Sequence, residues 1–106
     1  MSTDRDDEIT EEKILEAVSA LRSEEAALSP LGAAILAALH FGIAKDSRTF
    51  SRKFDIAHAL ALREITALSD DLGLLTVVGR NARTQRTELA LSEQALHLLS
   101  RAMKTQ

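Results

Sequence analysis

The apolar residues of this chain change their period at Gly73, and that change limits the folds open to it. From Ala57 to Asp71 they recur at helical spacing. With Ala61 as the inward centre, Ile65, Leu68 and Leu72 stay within about 40° of it at about 100° per residue. Past Gly73, the residues Leu74, Leu75, Val77 and Val78 read as a strand, because valine fits a pleated, half-buried surface. Gly79 to Gln85 reads as a polar turn. Thr87, Leu89 and Leu91 then alternate with Glu88 and Ala90, the pattern of a strand buried on one face. A helix stopped by glycine thus runs straight into a hairpin bearing Arg80, Arg83 and Arg86.

The segment just upstream predicts a second, shorter helix. Asp46-Ser47 supplies a cap, and a helix from Arg48 to about Phe54 buries Phe50 and Phe54, four residues apart. The same spacing turns Arg48, Arg52 and Lys53 outward. Ile56 is the apolar turn residue that sets the angle to the next helix. On that helix Arg63, Ala59, Thr66 and Asp70 lie on the far side. His58, Leu62 and Ser69 flank one edge, and Leu60 and Glu64 the other.

Three further helices complete the chain. Thr10 is expected to cap the first, with Ile9 and Ile14 as a hydrophobic staple and Ile14, Val18 and Leu21, beside Leu15, as its apolar stripe. Ser29-Pro30 opens the second, since proline at the first helical position loses no hydrogen bond. Its residues are apolar nearly all round, so it should be the most buried element, ended by Gly42. Ser92 caps the last, whose broad apolar face holds Ala95, Leu96, Leu98, Leu99, Ala102 and Met103. The expected fold is mostly α with a small β-hairpin, in the order α-α-α-α-β-β-α. Residues 1–8 read as a disordered acidic tail, and residues 9–106 as a single domain.

Charge distribution says more about partners than charge sum. The net charge is -3, yet residues 1–25 hold nine acids against three bases, and residues 26–106 hold seven acids against ten bases. The helix pair and hairpin are therefore mildly basic. The absence of cysteine excludes disulfides and thiolate-bound metal and fits a reducing compartment. No apolar run approaches the roughly 20 residues of a membrane span, and the expected location is the cytoplasm. His40, His58 and His97 fall on three separate helices without the i, i+4 partner of a helical metal pair. Asp70-Asp71 and Glu24-Glu25 are adjacent, so each pair diverges by about 100° on a helix rather than facing a common substrate. No enzyme activity, metal or cofactor is expected.

The order of elements resembles the winged helix-turn-helix domain of the MarR-like transcriptional regulators. The residues that carry the resemblance are Phe50, Phe54, Ile56, Ala61, Ile65 and Leu68, then Leu72-Gly73-Leu74-Leu75, Arg80 to Arg86, and Leu91-Ser92-Glu93-Gln94-Ala95. It covers residues 30–103, about seventy per cent of the chain, and rests on order and spacing together. The chain departs from the family at Asn81-Ala82-Arg83, where Asp-x-Arg is usual, and at Ser92 and Ala95, where threonine and glycine are usual. It is also shorter than the family's typical members.

The resemblance implies a homodimeric regulator that binds double-stranded DNA, with the helix from His58 in the major groove and the hairpin along the backbone. Arg48, Arg52, Lys53, Arg80, Arg83 and Arg86 are the expected phosphate contacts. Arg63 is placed to read guanine, with His58 and Thr66 adding polar contacts. The first and last helices are the expected dimer contacts. A different class of function stays open: a protein-interaction module without direct DNA binding, using an apolar patch at Leu60 and Leu62. Ala59, Ala67 and Asp70 on the recognition helix favour that alternative, since a groove-reading helix usually offers more donors.

Overall fold

In the computed structural model residues 12–104 are described. Thr10 and Ile9, the expected cap and staple of the first helix, lie outside the described residues. Five α-helices and a two-stranded antiparallel hairpin follow one another in the expected order: α1 (Ile14–Glu24), α2 (Pro30–His40), α3 (Ser47–Phe54), α4 (His58–Thr66), β1 (Leu75–Asn81), β2 (Arg86–Leu91) and α5 (Glu93–Lys104).

α2 is the central rod. Its N-terminus is fixed by Ser29, whose Oγ accepts from the Gly32 N–H at 2.9 Å while its hydroxyl donates to Glu64 on α4 at 2.8 Å. Seven consecutive residues, Gly32 to Ala38, are buried. A helix of small and aliphatic side chains can be surrounded in this way because each neighbour approaches closely. It stops at Gly42, with φ of +73°, where the Gly42 N–H returns to Leu39 and the Ile43 N–H to Ala38. Those two bonds form the glycine-terminated end that satisfies orphan carbonyls.

α1 packs on α2 and α5. It buries Ile14, Ala17 and Leu21 rather than the full stripe expected: Val18 is half-buried, and Leu15 is 70% exposed. α5 buries Ala95, Leu98, Leu99 and Ala102, but Leu96 is 53% exposed, so its apolar face is narrower than predicted. The inward rows of both helices sit within the chain's own core. Leu15 and Leu96 each lie about a quarter-turn off those rows.

α3 begins where the Asp46 carboxylate accepts from the Thr49 N–H at 2.8 Å and the Thr49 hydroxyl at 2.9 Å. Phe50 is buried and stacks on Phe54, with ring centroids 4.3 Å apart. The helix ends at Asp55 in the left-handed region, φ 55° and ψ 52°. A side chain there is strained, and a carboxylate at a helix C-terminus opposes the dipole. Asp55→Gly relieves both. It should stabilise the chain by about 0.5–1 kcal/mol and raise the thermal midpoint by several degrees.

The helix expected over 57–71 is α-helical only to Thr66. Ala67 to Asp71 form a π turn, in which the Leu72 N–H reaches the Ala67 carbonyl, five residues back. Its buried row is nonetheless the predicted one, Ala61, Ile65 and Leu68, with Leu72 half-buried. Gly73, φ +66°, then turns the chain. The Ser92 hydroxyl donates to the Gly73 carbonyl at 2.7 Å and its oxygen accepts from the Ala95 N–H at 3.1 Å, so one serine ties this turn to the start of α5.

The hairpin is longer than its sequence pattern indicates. Gly79, Arg80 and Asn81, read as turn, belong to β1, and Arg80 pairs with Thr87. A register shift between Val77 and Gly79 takes up the extra residue and leaves Val78 exposed, the usual effect of a bulge. The true turn is set by Asn81. Its Oδ1 accepts from the Arg83 and Thr84 N–H groups, and its carbonyl accepts from Gln85 at 2.7 Å. The other edge of β2 is also paired: the Leu89 N–H donates to the Lys45 carbonyl at 2.9 Å, and Asp46 bridges Glu88. This short third edge holds the start of α3 against the hairpin.

Candidate nucleic-acid interface

α4 with its π turn and the hairpin face each other across an open groove of about 520 Å³, while α3 packs against α4 and β2 outside its lining. One wall is α4 and its π turn, with Thr66, Ser69 and Asp70; the other is the hairpin, with Arg80, Asn81, Gln85 and Arg86. Leu62, Ile65 and Val77 also line it. Three of the predicted DNA residues, Thr66, Arg80 and Arg86, are therefore brought together from elements that are separate in sequence.

The nine predicted contacts divide by what their side chains already do. Arg52, Lys53, Arg63, Arg80 and Arg83 are exposed, and their side chains make no hydrogen bond or ion pair among the described residues. These five keep their full donor capacity. Arg63 stands one turn before Thr66 on the same face of α4. Arg83 lies in the hairpin turn.

The other four have structural engagements that the sequence did not reveal. Arg48 donates from Nε to the Thr84 carbonyl at 2.9 Å, fastening α3 to the hairpin turn. Arg86 lies 3.4 Å from Asp46 Oδ1, so part of its charge is matched within the chain. The Thr66 hydroxyl donates to the Leu62 carbonyl at 3.0 Å, back along its own helix. His58 is half-buried, with Nε2 2.8 Å from Ser47 Oγ, rather than turned outward as an added polar contact.

Ser47 and Asp46 are the residues that sequence reasoning undervalued. Ser47 is wholly buried, and its Oγ accepts from the Thr87 N–H at 3.0 Å while meeting His58. Asp46 both caps α3 and holds Arg86. Burial pushes its carboxyl pKa up, but the Thr49 N–H and hydroxyl, Arg86 and the Arg48 N–H outweigh that and hold it below the ordinary 3.8. The Asp-Ser pair gave a capping signal, but nothing in it told which of the two would be buried.

Asp70 lines the groove, so a carboxylate shares its walls with Arg80 and Arg86. No group of three or more His, Asp or Glu among the described residues is arranged to hold a metal ion. No helix among them is long and apolar enough to cross a membrane. Comparison with protein families, with curated proteins and with solved structures finds no match to this chain.

Proposed function

We propose that the chain is a winged helix-turn-helix module that binds double-stranded DNA as a transcriptional regulator. The observation that carries this reading is the set of five cations on α3, α4 and the hairpin without partners among the described residues, with α3 packed on both α4 and β2. In the proposed complex α4 enters the major groove. Arg63 reads a base edge, and Arg52, Lys53, Arg80 and Arg83 neutralise phosphates. Arg48 and Arg86 act chiefly as positioning residues, because their bonds to Thr84 and Asp46 fix the hairpin relative to α3. A homodimer is part of the reading, with Leu15 and Leu96 as the exposed apolar side chains of its contact. Half-sites should then lie about 34 Å apart, one turn of the duplex.

Two alanine variants test the division of labour. Arg83→Ala should weaken binding about equally on all duplexes and make the logarithmic salt slope about one unit shallower. Arg63→Ala should change which duplex wins in a competition from a random pool. Binding unchanged in both variants would remove this face from the account. A protein-docking role is favoured by the 40% exposure of Leu60 near the start of α4. That reading predicts association that persists as salt rises, the opposite of phosphate contact.

A further inference from the structure

We propose that Thr87, Ser47 and His58 form a proton-operated latch, which holds the hairpin on the helix pair while the imidazole is neutral and loosens it when the ring gains a second proton. The three residues come from β2, the first turn of α3 and the first turn of α4. They are joined by two hydrogen bonds through the single Ser47 oxygen, 3.0 Å to the Thr87 nitrogen and 2.8 Å to His58 Nε2.

The argument is one of donor polarity. A serine hydroxyl has one proton to give. The Thr87 N–H can only donate, so it occupies a lone pair on Ser47 Oγ. With a neutral ring protonated at Nδ1, the bare Nε2 accepts the Ser47 proton, and the line runs in one direction from Thr87 through Ser47 to His58. Protonation makes both ring nitrogens donors. Nε2–H must then point at Ser47 Oγ, and the Ser47 proton is pushed out of the line. Ser47 is 0% exposed and makes no other side-chain hydrogen bond among the described residues. A buried donor left without a partner incurs its full desolvation penalty.

The surrounding charges set where the latch acts. Burial first, and Arg48 second, hold the His58 pKa below its ordinary 6.5, while Asp46 pulls the other way. Asp46 is itself paired with Arg86 from β2. Glu88 of β2 is exposed and turns over Gly79, and α2 contributes only His40, at its far end. On α4 itself Arg63 is exposed and Glu64 is bonded to Ser29. Because the folded pKa lies below the unfolded one, the stability given by the neutral ring is whole above about pH 6.5 and is lost as pH falls through the folded value. Asp46, held below 3.8, stays charged through that window. The two titrations therefore separate.

A pH titration of the isotopically labelled chain by two-dimensional NMR, from about pH 7.5 to 4.5, tests the latch. The His58 ring should titrate below 6.5, and the Thr87 amide resonance should move with the same midpoint. Protection of the Thr87 amide from exchange, corrected for intrinsic rate, should fall by about tenfold across it. In His58→Gln the side chain stays neutral, and the Thr87 amide should no longer titrate in this range. A His58 midpoint at or above 6.5, or a Thr87 amide that ignores the ring's titration, overturns the proposal. So does a Thr87 response that survives His58→Gln; if that variant does not fold, the unsubstituted chain decides alone. No DNA enters these measurements, so their failure is distinct from failure of the DNA reading.

Discussion

Phe50→Ala should lower the unfolding free energy by about 3–5 kcal/mol, more than any other single change considered for this chain. The reason lies in composition as much as in place. The chain has three phenylalanines and no tyrosine or tryptophan, so one of its few large rings is lost and the rest of the core is mostly alanine and leucine. Phe50 is 2% exposed, stacks on Phe54 and is the largest wholly enclosed side chain of α3. Its removal leaves a cavity beneath the helix that carries Arg48, Arg52 and Lys53. A domain of this size is stable by only about 5–15 kcal/mol, so the loss takes a large share. Phe50→Leu keeps most of the volume and should cost roughly 1–2 kcal/mol. Urea unfolding followed by helical circular dichroism gives both values. A cost below about 1 kcal/mol for the alanine variant would mean that α3 is not anchored through this ring.

The second large effect is on DNA affinity. If Arg52, Lys53, Arg63, Arg80 and Arg83 all meet the duplex, four or five of their charges displace counterions from phosphate. Each phosphate contact contributes about -0.9 to the logarithmic salt slope, so four give about -3.6 and five about -4.5. Raising salt fourfold, from about 50 to 200 mM, should then weaken binding by about 150-fold to 500-fold. Arg80→Ala with Arg83→Ala should make the slope shallower by about two units, since both side chains are free of partners among the described residues. Arg86→Ala should act differently. It releases Asp46 as well as removing a charge, so it should disturb the hairpin's position along with affinity.

Much of this architecture is written in short-range signals. Ser29-Pro30, Asp46, Gly73 and Ser92 each mark an element boundary through chemistry local to that residue, and each is at work where the sequence predicts. The buried row of α4 also follows from spacing alone. What escapes depends on neighbours distant in the chain. Leu15 and Leu96 are as apolar as the residues beside them, and it is the choice of row that the neighbouring helices cover that leaves them outside. The register shift at Val78 displaces the strand pattern by one residue, which no period count registers, and the π turn after Thr66 leaves no mark in the apolar spacing. The same limit applies to the candidate site. Arg63 and Arg83 are found by charge and position, whereas the engagements of His58, Arg48 and Arg86 arise from contacts spanning 11, 36 and 40 residues.

The central claim is that the free cations of α3, α4 and the hairpin form one polyanion-binding face. Fluorescence polarisation of a labelled mixed-sequence duplex, titrated with the full chain at about 50 and 200 mM salt, tests it most directly. The account predicts saturable binding at the lower salt and a loss of two to three orders of magnitude at the higher, with the slope made shallower by about two units in the Arg80→Ala, Arg83→Ala chain. No binding at the lower salt, or binding that does not weaken as salt rises, would contradict it.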